Sequence, residues 1–153
     1  MSLKAIPLMI LTLILYNALV FVSSGTPDEI FYGSAVMDAA TNTPQRVGYL
    51  FQISMPNGGV WTFWLGDFVM LIALILLGLE LIKATYTRGA GLADQALSVI
   101  VFVIFLVEFL LVERASSSLF FLLTVIAGLD VVIGSIIGIR TARRDIGFGT
   151  GDQ

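Results

Sequence analysis

The chain has 153 residues, 58% of them hydrophobic and only 12% charged, with a formal net charge of −3. A soluble globular chain carries roughly 25% charged residues, so this composition excludes a water-soluble domain and predicts an integral membrane protein. Histidine and cysteine are both absent, which excludes disulfides, thiolate and imidazole metal sites, Fe–S clusters, His-ligated haem and imidazole acid–base chemistry. No cofactor and no metal are expected.

Four apolar segments follow in chain order, each near the roughly 17–25 residues that cross a bilayer core as a helix. Segment one covers about residues 5–22, interrupted only by Thr12, Tyr16 and Asn17. Segment two covers about 68–86 and carries Glu80 and Lys83; segment three covers about 95–112 and carries Ser98 and Glu108; segment four covers about 118–139 and carries Thr124, Asp130 and Ser135. The expected fold is an all-α membrane protein: one four-transmembrane-helix bundle over residues 1–145, with a flexible cytoplasmic tail at 146–153. Segment one also has features of a cleaved signal peptide, with Lys4 at its start and Ser23 and Gly25 at the −3 and −1 positions. Its apolar run exceeds the roughly 7–15 residues of a signal core, so its retention is expected.

Lys and Arg near the segment ends set the orientation. Lys4, Lys83, Arg88, Arg140, Arg143 and Arg144 fall on one side, six of the eight basic residues; Arg46 and Arg114 fall on the other. The first side is therefore cytoplasmic, with both termini inside. Arg140, Arg143 and Arg144 are the inner-face residues, placed for topology and for anionic lipid headgroups. Paired segments share their orientation, so an inverted-repeat transporter layout is not supported.

Residues 23–66 form a long outer loop. Val47, Tyr49, Phe51, Ile53 and Met55 alternate with Gly48, Leu50, Gln52 and Ser54, which is the period-two strand signal. Pro56-Asn57-Gly58-Gly59 supplies the turn, and residues 60–65 the second strand, so an extracytoplasmic β-hairpin is predicted. Residues 23–46 show no clear periodicity and read as a surface helix or irregular chain. Asp67 is the expected N-cap of segment two, and Ser116-Ser117-Ser118 suit the start of segment four. Trp61, Phe63 and Trp64 sit just before segment two, either as an aromatic belt at headgroup level or as a docking surface for another membrane protein.

The intramembrane polar residues are the candidates for function. A carboxylate at the bilayer centre costs roughly 2.5–3.5 kcal/mol even on the lenient insertion scale, so such groups face protein or water and have partners. At about 1.5 Å rise per residue, Glu108 lies roughly 6 Å and Asn17 roughly 5 Å to the outer side of their segment midpoints. With Thr124 they are expected to share one polar layer. Glu80 lies roughly 6 Å and Asp130 roughly 4 Å to the inner side, and Lys83 follows Glu80 by one turn as a possible ion-pair partner. Three roles are open for the acids: fixing helix register, relaying a proton or ion, or pairing with a partner's basic residue. In segment four, Gly134-Ser135-Ile136-Ile137-Gly138 matches GxxxG, so Gly134 and Gly138 are helix-packing candidates, within the bundle or between copies. Gly147-Phe148-Gly149-Thr150-Gly151 lacks the GK[ST] ending of a phosphate loop.

Leu15-Tyr16-Asn17, Gly66-Asp67-Phe68, Leu97-Ser98, residues 107–112 and Ala142-Arg143-Arg144-Asp145, taken in order, resemble uncharacterised four-span inner-membrane proteins of alphaproteobacteria. The resemblance covers nearly the whole chain; it implies a bacterial inner-membrane location and supplies no activity. Four spans with a large first outer loop are also similar in layout, and in layout alone, to claudin-type proteins, whose loop cysteine pair is missing here. The function expected is that of a non-enzymatic accessory or assembly subunit of a larger membrane complex. Its partners would be the bilayer and another integral membrane protein or a second copy, with no nucleic acid. A small oligomeric proton-coupled transporter or channel is the alternative, and a lipid-modifying enzyme a weaker third, because no nucleophile cluster is present.

Overall fold

The computed structural model describes residues 7–86 and 91–147, with side chains over 7–85 and 95–139. Among these residues the chain is mostly helical: α1 (Met9–Val22), α2 (Pro27–Tyr32), α3 (Leu65–Tyr86), α4 (Gly91–Leu111) and α5 (Ser118–Gly147). Four short strands lie between α2 and α3: β1 (Ser34–Met37), β2 (Pro44–Val47), β3 (Phe51–Ser54) and β4 (Val60–Phe63). A 3₁₀ turn, Glu113–Ala115, joins α4 to α5.

Two stretches, Leu65–Thr85 and Ser118–Ile139, are long and apolar enough to cross a membrane, whereas Met9–Val22 and Gln95–Leu111 are apolar but shorter. Only 22% and 33% of the two long stretches is buried, the reverse of a core helix in a soluble protein. Their bulky side chains point outward, among them Phe68, Leu71, Ile75, Leu79 and Ile82 on α3 and Phe121, Val125, Leu129, Val132 and Ile136 on α5. A contiguous apolar exterior of this kind belongs against lipid, which supports membrane placement. The core is narrow by comparison. It consists of Met9, Leu13, Tyr16 and Val20 on α1, Val69 and Ala73 on α3, Val101 and Phe105 on α4, and Leu119, Phe120, Leu123, Ile126 and Ala127 on α5, closed at one end by Phe31 and Ala115. The α1 positions recur at helical spacing, so one stripe of that helix turns inward.

The helix starts are set by local chemistry. Thr26 and Glu29 form a capping box on α2, the Thr26 amide donating to the Glu29 carboxylate at 2.9 Å. At α3, the Trp64 amide donates to the Asp67 carboxylate at 2.9 Å. Asp67 therefore occupies the third helical position and reaches back, one half of a capping box, where the sequence suggested the N-cap itself. At α5, Ser117 Oγ accepts from the Phe120 amide at 3.2 Å, and the N-cap falls where the serine run predicts it.

The loop holds two antiparallel hairpins, β1–β2 with Ser34 opposite Val47 and β3–β4 with Phe51 opposite Phe63. The second is the predicted hairpin, turning at residues 55–59, but its first strand begins at Phe51 instead of Val47. Val47 is already paired in β2, and Gly48, at φ +103°, bends the chain between the two ladders. Gly33, at φ +74°, makes the tightest joint: a Cβ there would overlap the Val47 carbonyl and stand 2.6 Å from the Trp64 ring. Residues 23–46, without visible period, thus contain α2 and a complete hairpin whose strands are only four residues each.

Two expectations follow. The Thr12 hydroxyl is fully buried and has no hydrogen-bond partner among the described residues, so Thr12→Val should raise stability by about 1 kcal/mol, read as a higher midpoint of unfolding in detergent. The Thr26 amide and hydroxyl hold the Glu29 carboxyl below its usual value of 4.5. A lowered carboxyl contributes stability above the unfolded value that is lost as pH falls through the folded one. Amide protection of residues 27–32, corrected for the intrinsic exchange rate, should therefore fall on acidification below about pH 4, and in Glu29→Gln that pH dependence should vanish.

Candidate functional site

The polar residues of the bundle gather at its two ends, and α1 connects them. This helix is 14 residues long, has no side-chain N-cap of its own and has no basic residue in its last turn. Its first amides are answered from α3: Glu80 Oε2 accepts from the Leu8 amide at 2.9 Å and from the Met9 amide at 3.4 Å. Its last carbonyls are answered from the α4–α5 turn: the Arg114 guanidinium donates to the Val20 carbonyl at 2.6 Å and to the Ser23 carbonyl at 3.3 Å. An acid at the positive end of a helix dipole and a cation at the negative end each stabilise by about 0.3–1 kcal/mol when exposed, and up to about 2 kcal/mol when partly buried.

The Arg114 end is also the end where the loop docks. Tyr16 donates its hydroxyl proton to the Arg114 carbonyl at 3.0 Å and lies 2.9 Å from Ser117 Oγ. Because that one phenolic proton is committed, Ser117 must donate to Tyr16 while its oxygen accepts the Phe120 amide, giving a directed chain from the α5 cap to the turn. The Tyr16 ring stacks on Phe31 of α2 at 5.0 Å and tilts against Phe120 of α5 at 4.6 Å. One buried tyrosine therefore ties α1, α2, α5 and the α4–α5 turn together.

The other end holds a cluster of charged and polar groups. Glu80 lies about 22 Å along α3 and Asp130 about 18 Å along α5 from the helix starts, and the two carboxylates are within electrostatic reach of each other. Both are buried, at 8% and 4% exposure. Ser98 of α4 hydrogen bonds Asp130, and the Lys83 ammonium is within reach of both acids. Gln95 of α4 donates to the Val131 carbonyl at 2.9 Å, and its side-chain oxygen would lie 2.6 Å from a Cβ at Gly134. Gly134 thus makes room for α4 inside this bundle. Gly138 has no described atom within 4 Å of such a Cβ, so the GxxxG pair divides into one internal contact and one open position.

Glu108 lies apart from that cluster. It is one turn from the C-terminal end of α4, about 4.5 Å short of Leu111, and takes a hydrogen bond from Asn17 of α1. Both line an open groove of about 640 Å³ whose other walls are Phe21, Val103, Ile104, Val107, Leu111 and Val112. Asn17 also donates to the Leu13 carbonyl of its own helix at 3.1 Å. Thr124 does not join them, since its buried hydroxyl bonds back to the Phe120 carbonyl at 2.9 Å. The polar layer expected of three residues is a pair.

Trp61 and Phe63 stand on β4, exposed and half-buried. Trp64 is the residue before α3 and meets Tyr49 edge-on at 6.2 Å. Arg140, Arg143 and Arg144 lie on the α5 backbone with side chains outside the described residues. Lys4, Arg88 and residues 148–153 lie outside the described residues altogether. Among the described residues no group of three or more acids is gathered to hold a metal. No protein-family model matches the chain, and neither a curated protein nor a solved structure is found to be similar to it.

Sequence reading missed the role of Arg114, which it counted only for topology, and the amide partners of Glu80. A signal was present. Ile6-Pro7-Leu8 offers no capping side chain at the start of α1, and uncapped amides in an apolar setting require an acceptor from elsewhere. Arg114→Ala should lower stability by about 1–2 kcal/mol, measured by unfolding in detergent. Arg114→Lys should recover part of that loss, because a shorter-reaching ammonium keeps the dipole interaction but not the Nη1 position from which both carbonyls are served.

Proposed function

We propose that this is a non-enzymatic, multi-pass membrane protein in which α1, α3, α4 and α5 all span the bilayer with both termini on the cytoplasmic side, and that it serves as an accessory subunit of a larger membrane complex. A bacterial inner-membrane location, implied by the resemblance of its ordered motifs, belongs to the same proposal. The observation that carries the reading is the Asn17–Glu108 groove. Glu80 and Asp130 are buried inside the bundle, whereas Glu108, hydrogen bonded by Asn17, lines an open, apolar-walled groove. An acid so placed against lipid is costly, and a polar or basic side chain from a neighbouring helix would relieve that cost. The wall residues Val103, Ile104, Val107 and Leu111 recur at helical spacing, which suits a helix lying alongside α4.

Purified in a gentle detergent, the full chain should carry a stoichiometric membrane partner. Glu108→Gln should weaken that complex about tenfold, the upper range of an intramembrane polar pair, with the helical content unchanged. A monodisperse single species that is unaffected by the substitution overturns the proposal.

The proximity of Glu80, Asp130, Ser98 and Lys83 favours a second reading, a small oligomeric proton-coupled transporter or channel. Reconstituted vesicles would then show pH-gradient-dependent flux that Asp130→Asn abolishes, and absence of flux in the native chain rejects it.

A further inference from the structure

The hairpin β3–β4 has two unlike faces. Strand partners point to the same side and neighbours along a strand to opposite sides, so the Phe51–Phe63 and Ile53–Trp61 pairs share one face while Gln52 and Thr62 occupy the other. The first face is a continuous aromatic surface: Phe51 stacks on Phe63 at 4.7 Å, and Trp61 meets both rings edge-on at 5.9 and 5.7 Å. The second face carries Gln52, Ser54 and Thr62 with Val60 at its end, Gln52 Nε2 donating to Thr62 Oγ1 at 3.0 Å. The aromatic face is not packed against the protein, as Phe51, Ile53 and Trp61 are 42%, 46% and 47% exposed. Residues 47–66 contain no Asp, Glu, Lys or Arg, so no charged side chain in the segment opposes partial burial in lipid.

Its position is fixed as well. Only Trp64 separates β4 from the first residue of α3. The Leu50 amide donates to the Phe63 carbonyl at 2.9 Å, and Trp64 is seated between Gly33 and Tyr49. The hairpin is thus held at the level where α3, lipid-facing through Phe68 and Leu71, leaves the apolar zone.

We infer that the β3–β4 hairpin is an amphipathic membrane-interface anchor, laying its Phe51–Ile53–Trp61–Phe63 face into the headgroup and upper acyl region of the leaflet at the loop end of the bundle. The occupant is lipid because the face is uncharged, aromatic and continuous with the lipid-facing side of α3. Indole rings settle at that depth, and an amphipathic element lies in the interface with its apolar face about 5–10 Å below the surface. The polar Gln52–Thr62 face is left to water. This rests on α3 spanning the bilayer and is independent of whether the chain has a protein partner.

Trp61 and Trp64 are the two tryptophans of the chain, so Trp64→Phe leaves Trp61 as a single reporter. The full chain is reconstituted in phosphatidylcholine vesicles carrying bromine at shallow or deep acyl positions. Trp61 emission should be blue-shifted and lost most strongly with the shallow bromines, while aqueous iodide leaves it largely intact. Emission quenched by iodide and untouched by brominated lipid places the face in water and overturns the inference; emission reached by neither places it against protein and overturns it equally. Should Trp64→Phe fail to fold, Ile53→Cys gives the otherwise cysteine-free chain a single spin-label site, whose accessibility to oxygen over an aqueous nickel chelate reads the same depth. Flotation after alkaline washing reports span insertion separately, so failure of the spans and failure of the anchor are distinguishable.

Discussion

The structure depends on a short helix that cannot terminate itself. At 14 residues, α1 is about the length at which an isolated helix is marginal in water; its start has no side-chain cap, and at its end the Ser23 amide reaches only the Leu19 carbonyl. Both ends are completed from distant parts of the chain, the amides by Glu80 and the carbonyls by Arg114. The charges match the helix dipole at each end. In an apolar surrounding the backbone groups have no water to fall back on, so these contacts also fix geometry. Glu80 can reach the start of α1 only if α1 and α3 run in opposite directions, and Arg114 can reach its end only if the α4–α5 turn lies beside it. These two side chains thus fix α1 antiparallel to α3 and beside the α4–α5 turn.

The remaining polar groups are arranged around that clamp. At the Arg114 end, Tyr16 converts the clamp into a joint, its hydroxyl serving the turn and its ring receiving Phe31 and Phe120. At the Glu80 end, the α1 amides and Lys83 offset two acids that would otherwise repel each other, and Ser98 supplies a further hydrogen bond to Asp130. Most acids near the bundle are thus occupied in holding it together. Glu108 differs, because its setting is completed only on the α1 side. The carboxylates thus divide into two buried in the Glu80 end of the bundle and one, Glu108, that lines an open groove beside Asn17.

The loop follows a related logic. Its two hairpins are too short to be stable alone, and they persist because α2 packs Phe31 into the bundle while Gly33 admits the Trp64 ring at the base of α3. The aromatic face of the second hairpin is then held outward at the end of a long apolar helix.

The sequence by itself determined the composition class, the apolar stretches, the serine cap of α5 and the Pro56–Gly59 hairpin turn, because each is written in local periodicity or in residues that act on their own backbone. Arithmetic along the helices put Glu80 with Asp130 and Asn17 with Glu108, and the structure brings each pair together. The sequence could not separate their roles. Whether Glu80 meets Lys83 or the amides of α1, whether Thr124 joins Asn17 or its own helix, and whether Gly134 faces Gln95 or a second copy are matters of rotation and neighbour. Residues 71 to 101 positions apart meet at α1, and no period in the chain records such a meeting. Only the tertiary structure decided it, because a buried charge or an uncapped backbone group takes whichever partner the packing brings within about 3 Å.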